Sequence, residues 1–457
     1  MNGHSTQCPI SNVRCRLRWP DYAWLVALGV LLVSPVLTGA ETNIISPADI
    51  VDRALAHSLQ LQAADQEVNA ASARKAQAHG QALPSLDVKA QAVHYEGLES
   101  AVLGPELVIP DIQDRYSASL GLTQPLFTGG RITQQRRGAA FQEDSLRAQR
   151  QRMGADLVLQ ALAACWNWSK AVYSTEALQS AVTRMEAHAD DMRSLQKAGL
   201  ATDNETLATD VLLDQTRLRL EEGRRRVDLA RARIALLTGS ELVESAAPQR
   251  PVIPGDVSVP AEGPALQAAF TNRPDLMAGR LEIRAAEALV RAARAESYPQ
   301  VLLTGRYEQA RPNVLDFPPS DEWKDDAYIG VLLAWNVWDW GIARAKTAEA
   351  AARAAQAKLR LGQTEEEITL EVREARINLQ DGLDRVTTAK RVEQSAHRNL
   401  EAATAQSKSG LARHSEVLDA QAQLTDAQYQ RIVAEADVLL SRAALLHAEG
   451  LLNKETN

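Results

Sequence analysis

Aromatic residues make up only 4% of the 457 residues, too few bulky side chains to fill a wide core. The 45% apolar fraction rests largely on Ala and Leu, which suit a narrow helix-on-helix seam. Of three cysteines, Cys8 and Cys15 precede a candidate cleavage site, so Cys165 is left alone and an intramolecular disulfide is excluded. Basic residues are not in excess: the formal charge of -8 argues against a nucleic-acid partner held by a positive surface. The sequence has no HExxH, no His/Cys cluster and no GxxxxGK[ST] phosphate loop. A non-enzymatic protein with no catalytic residue, cofactor or metal is therefore expected, and Asp190-Asp191 reads as wet surface.

The N-terminus has the order of an export signal. Arg14, Arg16 and Arg18 precede an apolar run at 23–33, then the small-residue site Thr38-Gly39-Ala40. That run is short for a membrane-spanning helix, so residues 1–40 read as a removed signal peptide.

Proline is missing from two long stretches, 126–247 and 320–457, which are rich in helix formers. Each reads as two helices separated by a turn, at Gly199-Leu200 and at Gly410-Leu411. The predicted helices cover about 131–196 and 203–237, and again about 342–407 and 414–448. At 1.5 Å per residue the longer ones reach roughly 100 Å. Flanking helices are expected at about 47–83 and 265–297, and five prolines mark 240–264 as a linker. The two halves repeat at a constant offset of 211: Gly130 matches Gly341, Lys197 matches Lys408, Glu205 matches Glu416 and Gly239 matches Gly450. A first repeat at 41–239, the linker, a second repeat at 265–450 and a tail at 451–457 follow. Leu213, Leu220, Val227 and Ile234 recur every seven residues, the spacing of a coiled-coil seam.

Four segments alternate between apolar and polar residues instead: about 85–95, 116–126, 300–308 and 328–338, the last more apolar throughout. Each has the length of a membrane-spanning strand with one face for lipid and one for water. Phe127, Trp335, Trp338 and Trp340 gather at one end, as a membrane-interface belt would require. Four strands cannot close a membrane barrel, and open strand edges are not tolerated in lipid, so several copies would have to share one. A structural coiled-coil protein of the periplasm, without a channel, is the alternative that periodicity alone leaves open.

In these features the sequence resembles the TolC-type outer-membrane efflux proteins over essentially the whole chain beyond the signal. The resemblance rests on the duplicated half, on Gln124-Pro125-Leu126-Phe127-Thr128-Gly129-Gly130-Arg131, and on Gly410-Leu411 followed by Glu416-Val417-Leu418-Asp419-Ala420-Gln421. It implies a mainly α protein with a small transmembrane β part. Three copies would form a twelve-stranded barrel in the cell outer membrane, continued by an α-helical coiled-coil tunnel in the periplasm. The linker would join an equatorial layer. The tips at Gly199, Leu200, Gly410 and Leu411 would meet a periplasmic adaptor (a membrane fusion protein) serving an inner-membrane pump or ABC exporter. The chain would be the exit duct of a tripartite efflux or type I secretion system. The acidic ring at the periplasmic entrance gate falls on Glu416 and Asp419, with Glu205 in the first half. The gate's tyrosine and arginine positions fall on Ser407 and Ala412, which cannot form those links.

Overall fold

The computed structural model describes residues 43–452, apart from 98, 104–106, 110, 256, 314, 316, 318, 319, 410 and 412. The expected signal peptide, most of the tail, Gly410 and Ala412 lie outside the described residues.

The first repeat runs β1 (Asn43–Ile45), α1 (Pro47–His57), α2 (Leu59–Gly80) and β2 (Ser85–His94), then a small hairpin, β3 (Ala101–Leu103) and β4 (Leu107–Ile109). It continues through β5 (Asp114–Phe127), α3 (Arg131–Lys197), α4 (Asp203–Thr238) and β6 (Ala246–Pro248). The second runs α5 (Glu262–Asn272), α6 (Pro274–Arg294), β7 (Gln300–Arg311), β8 (Lys324–Ala334), α7 (Ile342–Lys408) and α8 (His414–Ala448). Both α3 and α7 are 67 residues long without a break, as the missing prolines demand. Gly130 and Gly341 precede them at φ 87° and 84°, and Gly239 and Gly450 follow α4 and α8 at 69° and 71°.

The flanking helices depart from the single rods expected at 47–83 and 265–297: each is cut in two. In the second repeat Pro274 enters at the first position of α6 and forces Arg273 into extended backbone. In the first repeat Ser58 leaves helical geometry and its hydroxyl accepts from the Leu61 amide at 3.2 Å, capping α2. Two glycines sit against these breaks. A Cβ on Gly239 would overlap the His57 ring, and one on Gly450 would lie 2.9 Å from the Arg273 nitrogen.

Four strands form one antiparallel sheet in the order β2-β5-β7-β8. Its register places Leu86 beside Leu122, Val88 beside Leu120, Leu120 beside Tyr307 and Gly305 beside Ile329. One face therefore carries two rows apolar across all four strands, Leu86-Leu122-Gly305-Ile329 and Val88-Leu120-Tyr307-Ala327, before Gln309 and Asp325 meet in the next. The other carries Lys89, Ser119, Glu308 and Asp326 in one row, and Asp87, Gly121, Arg306 and Tyr328 in the next. The fourth strand differs from the expected 328–338: pairing with β7 begins at Lys324 and stops at Ala334. Beyond it Asp339 starts α7, because its carboxylate accepts from the Gly341 and Ala343 amides. Trp335, Trp338 and Trp340 thus lie beyond the strand, in its junction with α7.

A second, two-stranded sheet pairs β1 with β6 in parallel, Asn43 beside Ala246. Ala246 packs with Ile50, Val51, Leu162, Trp168 and Ile234 of α1, α3 and α4. Further along the linker, Ile253, Val257 and Val259 pack on Leu276, Val372 and Val438 of the second repeat. The linker thus packs on both halves beside the middle stretches of α3 and α7. Towards the tips, Met185 and Val182 of α3 meet Leu213 and Leu220 of α4, the seam seen in the heptad spacing, and Leu418 of α8 joins them.

Candidate functional site

The two helical hairpins end in the same turn. After α3 the Leu200 amide donates to the Leu195 carbonyl at 2.9 Å; after α7 the Leu411 amide donates to the Gln406 carbonyl at 2.9 Å. Gly199 takes φ 74°, which a side chain would disfavour. Leu200 and Leu411 are 76% and 83% exposed, so each tip presents one apolar side chain to its surroundings.

Beyond the turns the tips diverge. Thr202 caps α4, and Glu205 answers it: the Glu205 carboxylate accepts from the Thr202 amide and hydroxyl at 2.8 Å each. Glu205 therefore stabilises its own helix start, a role that Thr-x-x-Glu spacing could have disclosed. Arg413 stands at the corresponding cap of α8 with no side-chain bond, so Glu416 has no such task. Val417, Leu418 and Ala420 are buried, while Glu416 and Asp419 are exposed. Packing of Val417 and Ala420 on Ala403 and Leu400 fixes the rotation of α8 and turns both carboxylates to the opposite face. Ser407 is half-buried. An ion pair that sequence alone does not reveal joins α4 to α8: Arg219 Nη1 to Asp426 Oδ1 at 3.4 Å.

At the other end, Phe127, Trp335, Trp338 and Trp340 are 51%, 56%, 73% and 87% exposed. Trp338 and Trp340 stack edge to face with centroids 5.7 Å apart, and the Trp335 indole donates to the Ser297 carbonyl at 3.2 Å.

Between these ends lies a charged joint that sequence reading missed, since its members are far apart in the chain. Arg273, 3% exposed, donates to Glu371 at 2.6 Å, to Asp275 at 2.7 Å and to the Ala448 carbonyl at 3.2 Å. His447 Nε2 lies 2.6 Å from Asp156, and Arg152 reaches Asp156 at 2.9 Å and Asp275 at 3.3 Å. Burial pushes the Glu371 carboxyl up, but hydrogen bonds from His447 and Arg273 outweigh it and hold its pKa at about 2. Burial pulls the His447 imidazole down, yet the bonds to Asp156 and Glu371 win and its pKa is raised. Cys165 is fully buried, and burial alone pushes its thiol to about 12.

Among the described residues no group of three or more His, Cys, Asp or Glu could hold a metal ion. Nor is any described helix long and apolar enough to cross a membrane.

A family model described as outer membrane efflux protein matches residues 50–240 and 265–451, once per repeat. No curated protein matches the chain. Among solved structures, the outer-membrane channel OprN superposes with a TM-score of 0.77 at 21% identity, covering 88% of this chain and 89% of that one. The outer membrane protein VceC of Vibrio cholerae gives 0.74 at 18% identity, over 88% and 96%. The Campylobacter jejuni CmeC outer membrane channel gives 0.75 at 15% identity, over 90% and 87%. At such identities the likeness is one of fold.

Proposed function

The chain belongs to the outer membrane efflux protein family, and from that premise we propose that three copies form one continuous duct from periplasm to cell exterior. The sheet carries this reading. Its two faces differ in polarity along β2, β5 and β7, and among the described strands β2 and β8 each leave one edge unpaired. Such edges cannot stand in lipid. Pairing β8 of one copy with β2 of the next removes them all, and three copies give twelve strands around a polar lumen. The hairpins α3–α4 and α7–α8 continue the wall as a tunnel through the periplasm, with the aromatic junction at the membrane interface.

The duct serves a tripartite efflux or type I secretion system. Leu200, Leu411 and the turns at Gly199 and Gly410 receive the periplasmic adaptor, which couples the duct to an inner-membrane pump or ABC exporter. Glu416 and Asp419 line the entrance. Threefold repetition would place six carboxylates there, a negative ring that favours cations. Glu205 supports this ring from the first repeat through its helix cap.

The test is native mass measurement of protein extracted from outer membranes with detergent, followed by conductance in a planar bilayer. A mass of about three chains with discrete channels is expected. A water-soluble monomer without conductance would refute the reading and leave a structural coiled coil.

A further inference from the structure

Inside one copy, the second hairpin docks on the first through α8 and α3. Lys170 Nζ of α3 lies 3.2 Å from Asp437 Oδ1 of α8, and Asp156 meets His447 further along. Leu159 and Trp166 of α3 are partly buried there, and His447 is only 6% exposed.

The repeat offset of 211 assigns each of these residues a counterpart. Leu159 and Trp166 correspond to Leu370 and Ile377 of α7; Leu440 and His447 correspond to Leu229 and Leu236 of α4. The counterparts are uncovered: Leu370 57%, Ile377 60%, Leu229 54% and Leu236 81% exposed. Laid in the register that α3 and α8 use, an α4 brought against α7 would set Leu229 near Ile377 and Leu236 near Leu370.

The charges sharpen this. Lys170 corresponds to Asp381, and Asp437 corresponds to Arg226. The ion pair is thus kept in the repeat with its signs exchanged. Asp381 is exposed and makes no ion pair among the described residues, whereas Arg226 has only Glu222 of its own helix, 3.9 Å away. Asp381 opens on a groove of about 1260 Å³ between α7 and α8 that Asp384, Asp426 and Asp437 also line, along with Arg385 and Arg391.

We propose that the next copy of this chain lays its α4 along the open face of α7, with Arg226 paired to Asp381. Both contacts, α8 on α3 and α4 on α7, would then unite opposite charges. The inference rests on the reading that several copies share one barrel.

Cysteines at both positions in the full chain (Arg226→Cys with Asp381→Cys) test it. Cys165 is buried, and Cys8→Ser with Cys15→Ser keeps the other thiols out of the reaction. Mild oxidation of detergent-extracted protein should move most of the chain into a covalent band of trimer mass. Trimers by native mass that show no covalent band, or a link that stays at monomer mass, would overturn the proposal while leaving the assembly reading intact. Monomers by native mass would overturn both. In parallel, Arg226→Asp or Asp381→Arg alone should lower the temperature at which the trimer dissociates, and the two together should restore it. Failure of the double exchange to recover would overturn the ion pair.

Discussion

Trp340 stands in the second repeat where Gly129 stands in the first, and both hold a left-handed backbone, φ 56° and 63°. Gly129 has two reasons to be glycine: beyond its φ, a Cβ would lie 2.8 Å from the Tyr298 Cβ and 2.9 Å from the Ala295 carbonyl oxygen. Trp340 is 87% exposed and its indole stacks on Trp338, so a glycine there would relieve the backbone and lose one edge-to-face stack. Gly129→Ala should destabilise the protein by about 2–4 kcal/mol, while Trp340→Gly should change stability by less than about 1 kcal/mol, because the two effects oppose. Thermal unfolding of the two variants in one detergent checks the difference.

The charged joint gives stability a pH dependence. The pKa of His447 is raised above 6.5 by Asp156 and Glu371 despite burial, so its contribution is complete below 6.5 and lost as pH rises through the folded value. That of Glu371 is lowered from 4.5 to about 2, so its contribution is complete above 4.5 and lost as pH falls towards 2. From these two groups stability should be greatest between about pH 4.5 and 6.5 and decline above it. His447→Gln should flatten the alkaline limb in melting curves taken across pH; an unchanged slope would show that other groups set it.

Divalent or trivalent cations added on the periplasmic side of a bilayer should block the channel through Glu416 and Asp419. Replacing both with Ala should abolish the block and weaken cation preference. Retained block and preference would place the acidic ring elsewhere.

Leu200→Asp with Leu411→Asp should abolish export while leaving outer-membrane insertion and trimer mass unchanged. Export assays beside native mass measurement separate this from misfolding, and normal export would move the docking surface off the tips.

Much of the fold was legible because the helices are long and their breakers rare. The missing prolines placed α3, α4, α7 and α8 to within a residue or two, and strict alternation found β2, β5 and β7, whereas β8, more apolar throughout, was expected four residues too late. Pro274 advertised the break in the second flanking helix, but no residue that strong marks Ser58, whose hydroxyl cap works in a sequence that would otherwise stay helical. The pairing of β1 with β6 has only three residues per strand, too few for a periodic signal. Arg273, Glu371 and His447 meet only through folding, so no local pattern announces them. At the tips, Thr202 and Glu205 carried a readable capping signature, while the orientation of Glu416 and Asp419 depends on which side of α8 is packed.

The broken flanking helices have a mechanical consequence. Each repeat sets a continuous rod, α3 or α7, beside a strut jointed once, at Ser58 or Arg273. A rod carries its hydrogen-bond ladder unbroken from sheet to tip, whereas each strut has one place where the ladder is already interrupted. Gly239 and Gly450 press against that place like a thumb on a hinge pin, so each strut is buttressed where it is weakest.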